Sequence, residues 1–377
     1  MENLITNYEK YFVHDLQSRR FQPETFNQIV QNIFKNNEHI FEIKEIGKSF
    51  EGRKINLIKI GEGKTKILLW SQMHGDESTA TMAIADIFNF FAKFFKENEV
   101  QKLLSKISLF FIPILNPDGA AKHQRLSAQL IDLNRDALKL VTPEARILKQ
   151  VQTELKPEIG FNLHDQELST VGYTNQITRI ALLAPALDEN QSDNEVRIQA
   201  KKIAASLVNI LNNFIPGKIS RYDESYEPRA FGDKMQSWGT STILIESGHE
   251  INDPEKSIIR KLNAVSLLSI FHDIANQNYK NVDISVYEKL PYNTYRAYDL
   301  IIRNVKIRYK NGTEIDADLG ISYQVNTHTT DIPVLMEIGD LSTFVALKDV
   351  EGNGREISEE DIHIEKEFNL KKYFLEV

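Results

Sequence analysis

The stretch KILLWSQMHGDESTATMA, Lys66 to Ala83, decides how the rest of the chain is read. Ile67-Leu68-Leu69-Trp70 is a short apolar run between polar residues, the pattern of a buried strand. From Ser78 to Phe95 the apolar residues return at helical spacing. Between the two stands His74-Gly75-Asp76-Glu77, at the carboxyl end of the strand, where open α/β sheets bind ligands. His74 and Glu77 are three residues apart, so on a tight turn into a helix both side chains reach one metal ion. A neutral imidazole with a carboxylate suits Zn²⁺, which catalytic sites hold with three protein ligands and one open position. A bare H-x-x-E arises by chance about once in a chain this rich in Glu. The rest of the chain has to supply the third ligand and the chemistry.

At 377 residues the chain has room for one large domain and a smaller one, each with a core. A net charge of −8 with no Lys/Arg cluster argues against a nucleic-acid partner. There are no cysteines, so a zinc ion has to be held by His and carboxylate. No signal peptide is visible in MENLITNYEKYFVHDL, and the most apolar helix, Thr79 to Phe95, carries Asp86, Asn89 and Lys93. A cytoplasmic protein with no membrane partner is expected; a chain trimmed of its leader would read the same. Oligomeric state is not legible.

Along the chain, residues 1–36 read as two short helices, the second running from Pro23 to Phe34. Residues 42–63 read as a hairpin around Gly52, with Arg53 structural. Ile107 to Leu115 is a second buried strand that stops at the turn Asn116-Pro117-Asp118-Gly119. A loop from Ala120 to Leu133 contains Arg125 and leads into Asp132-Leu133-Asn134-Arg135-Asp136. Thr142-Pro143-Glu144 opens a helix. Ile159 to Leu163 is a strand that delivers His164-Asp165. Gly172 to Glu189 reads as a long loop, Ser192-x-x-Glu195 as a capping box for a helix to about Phe214. Thr242 to Ile245 is a strand carrying Glu246, and Asp253-Pro254-Glu255 caps a helix to about Asn278. Beyond residue 280 the pattern turns to short alternating strands with a hairpin turn at Lys310-Asn311-Gly312. The expected organisation is an α/β domain over 1–280, with a mixed central sheet flanked by helices, and a small all-β accessory domain over 284–377.

Four predicted strand ends now carry distinct groups. His74, Glu77 and His164 compose a two-His, one-Glu site for one Zn²⁺. Arg125, Asn134 and Arg135 share a loop and suit anionic or carbonyl oxygens. Glu246 arrives as a carboxylate free for proton transfer. Such a zinc site polarises a carbonyl and brings the pKa of water to about 7. With an Arg at the oxyanion, these parts compose amide hydrolysis beside a substrate carboxylate.

The pieces GKSFEGRKI, WSQMHGDES, IPILNPDGA, RLSAQLIDLNRD, FNLHD and ILIESG, in that order across residues 45–250, resemble the M14 zinc carboxypeptidases. The resemblance implies a mixed sheet flanked by helices, with zinc on His74, Glu77 and His164. It implies that Arg125 polarises the scissile carbonyl, Asn134 and Arg135 clamp the terminal carboxylate, and Glu246 is the general acid/base. The family's mobile tyrosine falls to Tyr226 or Tyr222, with Tyr226 favoured. The residue lining the side-chain pocket falls at Phe231 to Asp233, Phe231 suggesting apolar and Asp233 basic terminal residues. Asp76 stands where digestive members usually carry Arg. Asp165 or a backbone carbonyl is expected to orient the His164 imidazole.

The implied substrate is a peptide with a free carboxylate, or an N-acyl amino acid if the chain is a desuccinylase- or aspartoacylase-type deacylase. A non-catalytic binding protein acting through the β domain is the alternative of another class. Of nine histidines, His14, His39, His249, His272, His328 and His363 read as structural or surface, with His249 and His123 near the site by sequence.

Overall fold

Apolar runs bounded by polar residues become the strands of an eight-stranded sheet. They are β1 (Phe41–Lys48), β2 (Lys54–Ile60), β3 (Thr65–Ser71), β4 (Ile107–Ile112), β5 (Ile159–Asp165), β7 (Ile180–Leu183), β8 (Ile219–Arg221) and β9 (Ser241–Ser247), with the short β6 (Thr170–Val171) outside the sheet. The order is β1-β2-β4-β3-β5-β9-β7-β8. Its centre, β4-β3-β5-β9, is parallel, and antiparallel pairs β2·β4 and β7·β9 flank it. The computed structural model describes Leu4 and residues 6–324 and 331–374. His328 and the final residues of the expected accessory unit lie outside the described residues.

Alternation along each strand divides the apolar side chains between two faces. Ile67 and Leu69 point into a core with α1 (Pro23–Phe34), α2 (Thr79–Phe94), α3 (Asn98–Leu104), α6 (Glu195–Asn212) and α8 (Ser257–Ala275). Leu68 and Trp70 point into a second core with α5 (Pro143–Leu155) and α7 (Phe231–Ser237). Each fully buried Leu, Ile or Phe contributes about 1.5–3 kcal/mol by leaving water, so these two faces hold the sheet between its helices. A buried ion pair ties the N-terminal segment to the first face. Arg260 donates to both oxygens of Asp86, at 2.7 and 2.6 Å, and Tyr8 donates to the same carboxylate at 2.5 Å.

Several local readings change. Asn116-Pro117-Asp118-Gly119 is the start of a short helix, α4 (Pro117–Lys122), because the Asn116 side chain accepts from Gly119 N at 2.9 Å and caps it. Within the expected loop 172–189 lies β7, an interior strand of the sheet. The α6 cap is Asn194, which accepts from Arg197 N at 2.9 Å, in place of Ser192. Arg53 is structural, as expected, donating to Asp118 and Glu51.

A second sheet follows, built from β11 (Ala297–Arg308), β12 (Glu314–Gln324), β13 (Ile332–Gly339), β14 (Val345–Glu351), β15 (Glu356–Ser358) and β16 (Lys366–Glu367), with its own core around Leu300, Ile321 and Phe368. Gly312, at φ 85°, makes the β11–β12 turn. The change of sequence pattern near residue 280 and the change of core do not coincide. Tyr287 still packs in the first core, with Val286 and Leu290 against it, and β10 (Asn293–Thr294) pairs with β6. Among the described residues, no helix is long and apolar enough to cross a membrane.

Candidate active site

The site lies at the carboxyl ends of β3, β5 and β9. The turn after β3 is held from below: Asn116 Nδ2 donates to Met73 O at 3.2 Å and Gln72 Nε2 to Gly75 O at 2.8 Å. A side chain at Gly75 would place its Cβ 2.1 Å from Gly119 C, so only glycine lets the turn sit on α4. Asp118 fastens the β1–β2 loop to the same helix by accepting from Ser49 Oγ, Glu51 N and Arg53. The GKSFEGRKI and NPDGA pieces are thus one scaffold under the site.

On that scaffold His74, Glu77 and His164 converge. Their ligand atoms all lie within 4.8 Å of one another and all three residues are buried. Nδ1 of His74 stands 2.6 Å from Glu77 Oε1, Nδ1 of His164 stands 2.7 Å from Oε2, and the two Nδ1 atoms are 3.2 Å apart. Two imidazoles and a carboxylate aimed at one point form a donor set that fits a divalent ion such as Zn²⁺. Burial alone would raise the Glu77 pKa, but His74 and His164 hold it well below the carboxylate range. Burial would lower His74, yet Glu77 and Asp132 lift it to about 9.

Orientation of the imidazoles differs from expectation. Asp165 accepts from Thr79 Oγ1 at 2.5 Å and Lys256 Nζ at 3.2 Å, and its N–H donates to Glu77 Oε2, so it does not touch the His164 ring. The residue that holds a ligand ring is Asp132, whose Oδ1 is 3.0 Å from His74 Nε2. Its signal in the sequence was a carboxylate two residues before Asn134. Asp132 also accepts from Arg125 Nη2 at 3.1 Å, while Arg125 Nη1 lies 3.2 Å from Glu77 Oε1. Arg125 therefore faces the ligand cluster.

Glu246 is in register with His164 on the neighbouring strand and 6% exposed. Burial, and then the negative charge of Glu77, push its pKa well above the usual carboxylate value. Asn134 Oδ1 accepts from Phe231 N at 2.9 Å, which leaves its amide N–H groups for a ligand. Arg135 is half-exposed, with Nε 3.6 Å from Glu227 Oε2.

The two tyrosine candidates stand in different surroundings. Tyr222 is pinned at the end of β8, its N–H donating to Leu182 O at 2.9 Å. Its hydroxyl lies in the field of Glu246, the main cause of its raised pKa, and is hydrogen-bonded to Tyr295. Tyr226 sits four residues further along the loop, in the field of Asp233, Asp188 and Glu189. The side-chain candidates separate as well. Phe231 is fully buried against Trp238, with ring centroids 6.2 Å apart, whereas Asp233 is 7% exposed and burial raises its pKa to about 7.

Residues 26–141 match the zinc carboxypeptidase family, Peptidase M14. The chain is similar to Carboxypeptidase 2 of Trichophyton tonsurans, 27% identical over 154 residues, which are 38% of this chain and 28% of that one. The match thus spans little more than a quarter of that relative's length. Among solved structures, the fold is similar to a metallo-carboxypeptidase from Burkholderia cenocepacia (TM-score 0.54, 16% identity, 69% of this chain and 70% of that one). It is likewise similar to carboxypeptidase A of Helicoverpa armigera (TM-score 0.55, 13% identity, 74% of this chain and 82% of that one).

Proposed function

Because this chain is a relative of the M14 zinc carboxypeptidases, we propose that it is a zinc-dependent hydrolase that releases single residues from the carboxyl ends of peptides. The observation that carries this reading is the buried convergence of His74, Glu77 and His164 with Arg125 and Glu246 alongside. His74, Glu77 and His164 would hold one Zn²⁺, which would supply Lewis acidity for amide hydrolysis.

The chain's own groups do the rest. Glu246 takes a proton from the attacking water on its carboxylate and delivers it to the nitrogen of the leaving amine. Its raised pKa suits a group that must both accept and return that proton. Arg125 presents guanidinium N–H groups to the oxygen that becomes negative at the tetrahedral stage. Asp132 keeps the His74 ring oriented through Nε2. The free amide hydrogens of Asn134 and the Arg135 guanidinium grip the terminal carboxylate, which sets which bond is cut.

The test is product analysis by mass spectrometry with zinc-loaded protein, supplying matched peptides with free or amidated termini together with N-acyl amino acids. Loss of single terminal residues from free-acid peptides alone is expected. Turnover of N-acyl amino acids alone moves the activity to the deacylase class. Glu246→Gln is expected to keep its zinc and lose activity by several orders of magnitude (about 10²–10⁴ for general acid/base work); near-normal activity in that variant would refute the assigned role.

A further inference from the structure

The chain between the two sheets, residues 291–296, does not cross open solvent. It is stitched to the loops that leave the site strands. Pro291 O accepts from Arg221 N at 2.8 Å and Tyr292 O from Gly172 N at 2.9 Å. Asn293 and Thr294 pair with Val171 and Thr170, and Thr294 O also accepts from Thr170 Oγ1 at 3.2 Å. Asn293 Nδ2 donates to Gln166 Oε1 at 3.3 Å. Gln166 is two residues past His164, and its own N–H donates to Ser247 O, next to Glu246. Gly172 permits this approach: its φ is +54°, and a Cβ there would stand 3.1 Å from Pro291 Cβ.

Two side chains of the segment reach the loop that carries Tyr222. The Tyr292 hydroxyl donates to Glu224 Oε1 at 2.8 Å, while Arg197 and Arg221 hold the other oxygen of that carboxylate. Glu224 is two residues past Tyr222, so the loop is fastened from the segment on one side and from α6 on the other. The second side chain is Tyr295. Its hydroxyl is bonded to that of Tyr222, yet the residue is 59% exposed. A tyrosine with its ring in water and its polar end turned inward is not there to fill a core.

Electrostatics sets the direction of that bond. A phenol carries one proton, free to rotate toward the best acceptor. Glu246 and, further off, Glu77 put negative charge on the inner side of the Tyr222 hydroxyl. That field turns the Tyr222 proton inward and leaves its lone pairs facing out, where Tyr295 stands as donor.

We propose that Tyr295, supplied from outside the α/β domain, is a substrate-positioning residue: its hydroxyl donates to that of Tyr222 and holds the Tyr222 O–H toward the peptide beside Glu246. The substrate is taken from the carboxypeptidase reading; the pair itself rests on the stitched segment. The connection to the second sheet is then a wall of the active site.

The experiment is a double-mutant cycle on zinc-loaded full-length protein: Tyr222→Phe, Tyr295→Phe and both together, read as kcat/KM on one free-acid peptide. Tyr295→Phe keeps the exposed ring and every backbone bond of the segment, so its melting temperature is expected to match the parent's. Its kcat/KM is expected to fall roughly 2- to 10-fold, the worth of one hydrogen bond. In the Tyr222→Phe background the same change is expected to cost nothing further, because the two hydroxyls act as one unit. Equal losses in both backgrounds, no loss in the parent background, or a loss that tracks a lowered melting temperature overturns the proposal and leaves the carboxypeptidase reading in place. If the parent cleaves no peptide, calorimetric titration with the same peptide reads the cycle in Kd. Coupled changes there keep the pair and remove the carboxypeptidase reading; uncoupled changes, or no binding, overturn both.

Discussion

Replacing Glu227 by Gln is expected to tighten the binding of peptides with free carboxyl ends. Glu227 stands 3.6 Å from Arg135 Nε, so under the proposed function it would compete with the substrate for that guanidinium. Two unit charges at that separation attract by about 1 kcal/mol in water and several-fold more at a protein surface. The side chains of Arg135 and Glu227 are 42% and 28% exposed, so the pair falls in the surface class, worth about 0.2–1 kcal/mol. Removing the competitor returns that energy to the substrate carboxylate, a KM lower by roughly 1.5- to 5-fold at about 1.4 kcal/mol per decade. Arg229 adds to the effect. Its guanidinium now forks onto Glu227 at 2.9 and 2.6 Å, and the substitution leaves that cation unneutralised beside the clamp. Steady-state kinetics on a free-acid peptide, at low salt and at about 0.5 M salt, measures the change; the gap between variant and parent should shrink as salt screens it. An unchanged or raised KM in a variant that melts like the parent would mean that Arg135 does not hold the substrate carboxylate.

Three further outcomes follow from the geometry. Asp132→Asn is expected to weaken zinc binding by roughly 10- to 100-fold, read by competition with a coloured chelator, because a neutral amide holds the His74 ring less firmly; unchanged affinity would remove Asp132 from the site. Asp233 titrates near 7 in the fold and at its ordinary 3.8 in the unfolded chain, with Glu227, Tyr226 and Arg197 as its charged or titratable neighbours. In that window the folded state holds a proton that the unfolded state has lost, so stability falls as pH rises from about 4 to about 7. Asp233→Asn should therefore gain on the parent across that range, by up to about 4 kcal/mol at pH 8 (about three units at 1.36 each), and melting curves that stay parallel from pH 4 to 8 would contradict it. Arg260→Met leaves Asp86 buried without its cation, and is expected to destabilise the fold by about 3–5 kcal/mol in chemical denaturation; a loss under 1 kcal/mol would show that the N-terminal segment is held by other contacts.

Much of the site was legible because its signals are short-range. A strand, a turn and a helix within Lys66 to Ala83 dictate that His74 and Glu77 meet on one turn, and the apolar strand before His164 dictates that this residue arrives at a strand end. Turn and capping chemistry was less secure: Asn116 caps a helix that read as a turn, and β7 hid in a stretch without clear periodicity because strand pairing, not local pattern, makes it a strand. The different settings of Tyr222 and Tyr226 were hidden for a related reason. Counting residues back from Glu246 ignores where β8 ends, and the Tyr222 N–H bond to Leu182 O is a contact between strands distant in sequence.

The sequence by itself thus determined the fold class and the meeting of His74, Glu77 and His164, since each depends on spacing within a few residues and on the order of strands. Tertiary structure decided which groups serve those residues. Asp132 rather than Asp165 reaches an imidazole, and Phe231 is spent in the core while Asp233 is not. These outcomes depend on register between strands and on what burial leaves without a partner. Neither quantity exists until the chain has closed on itself.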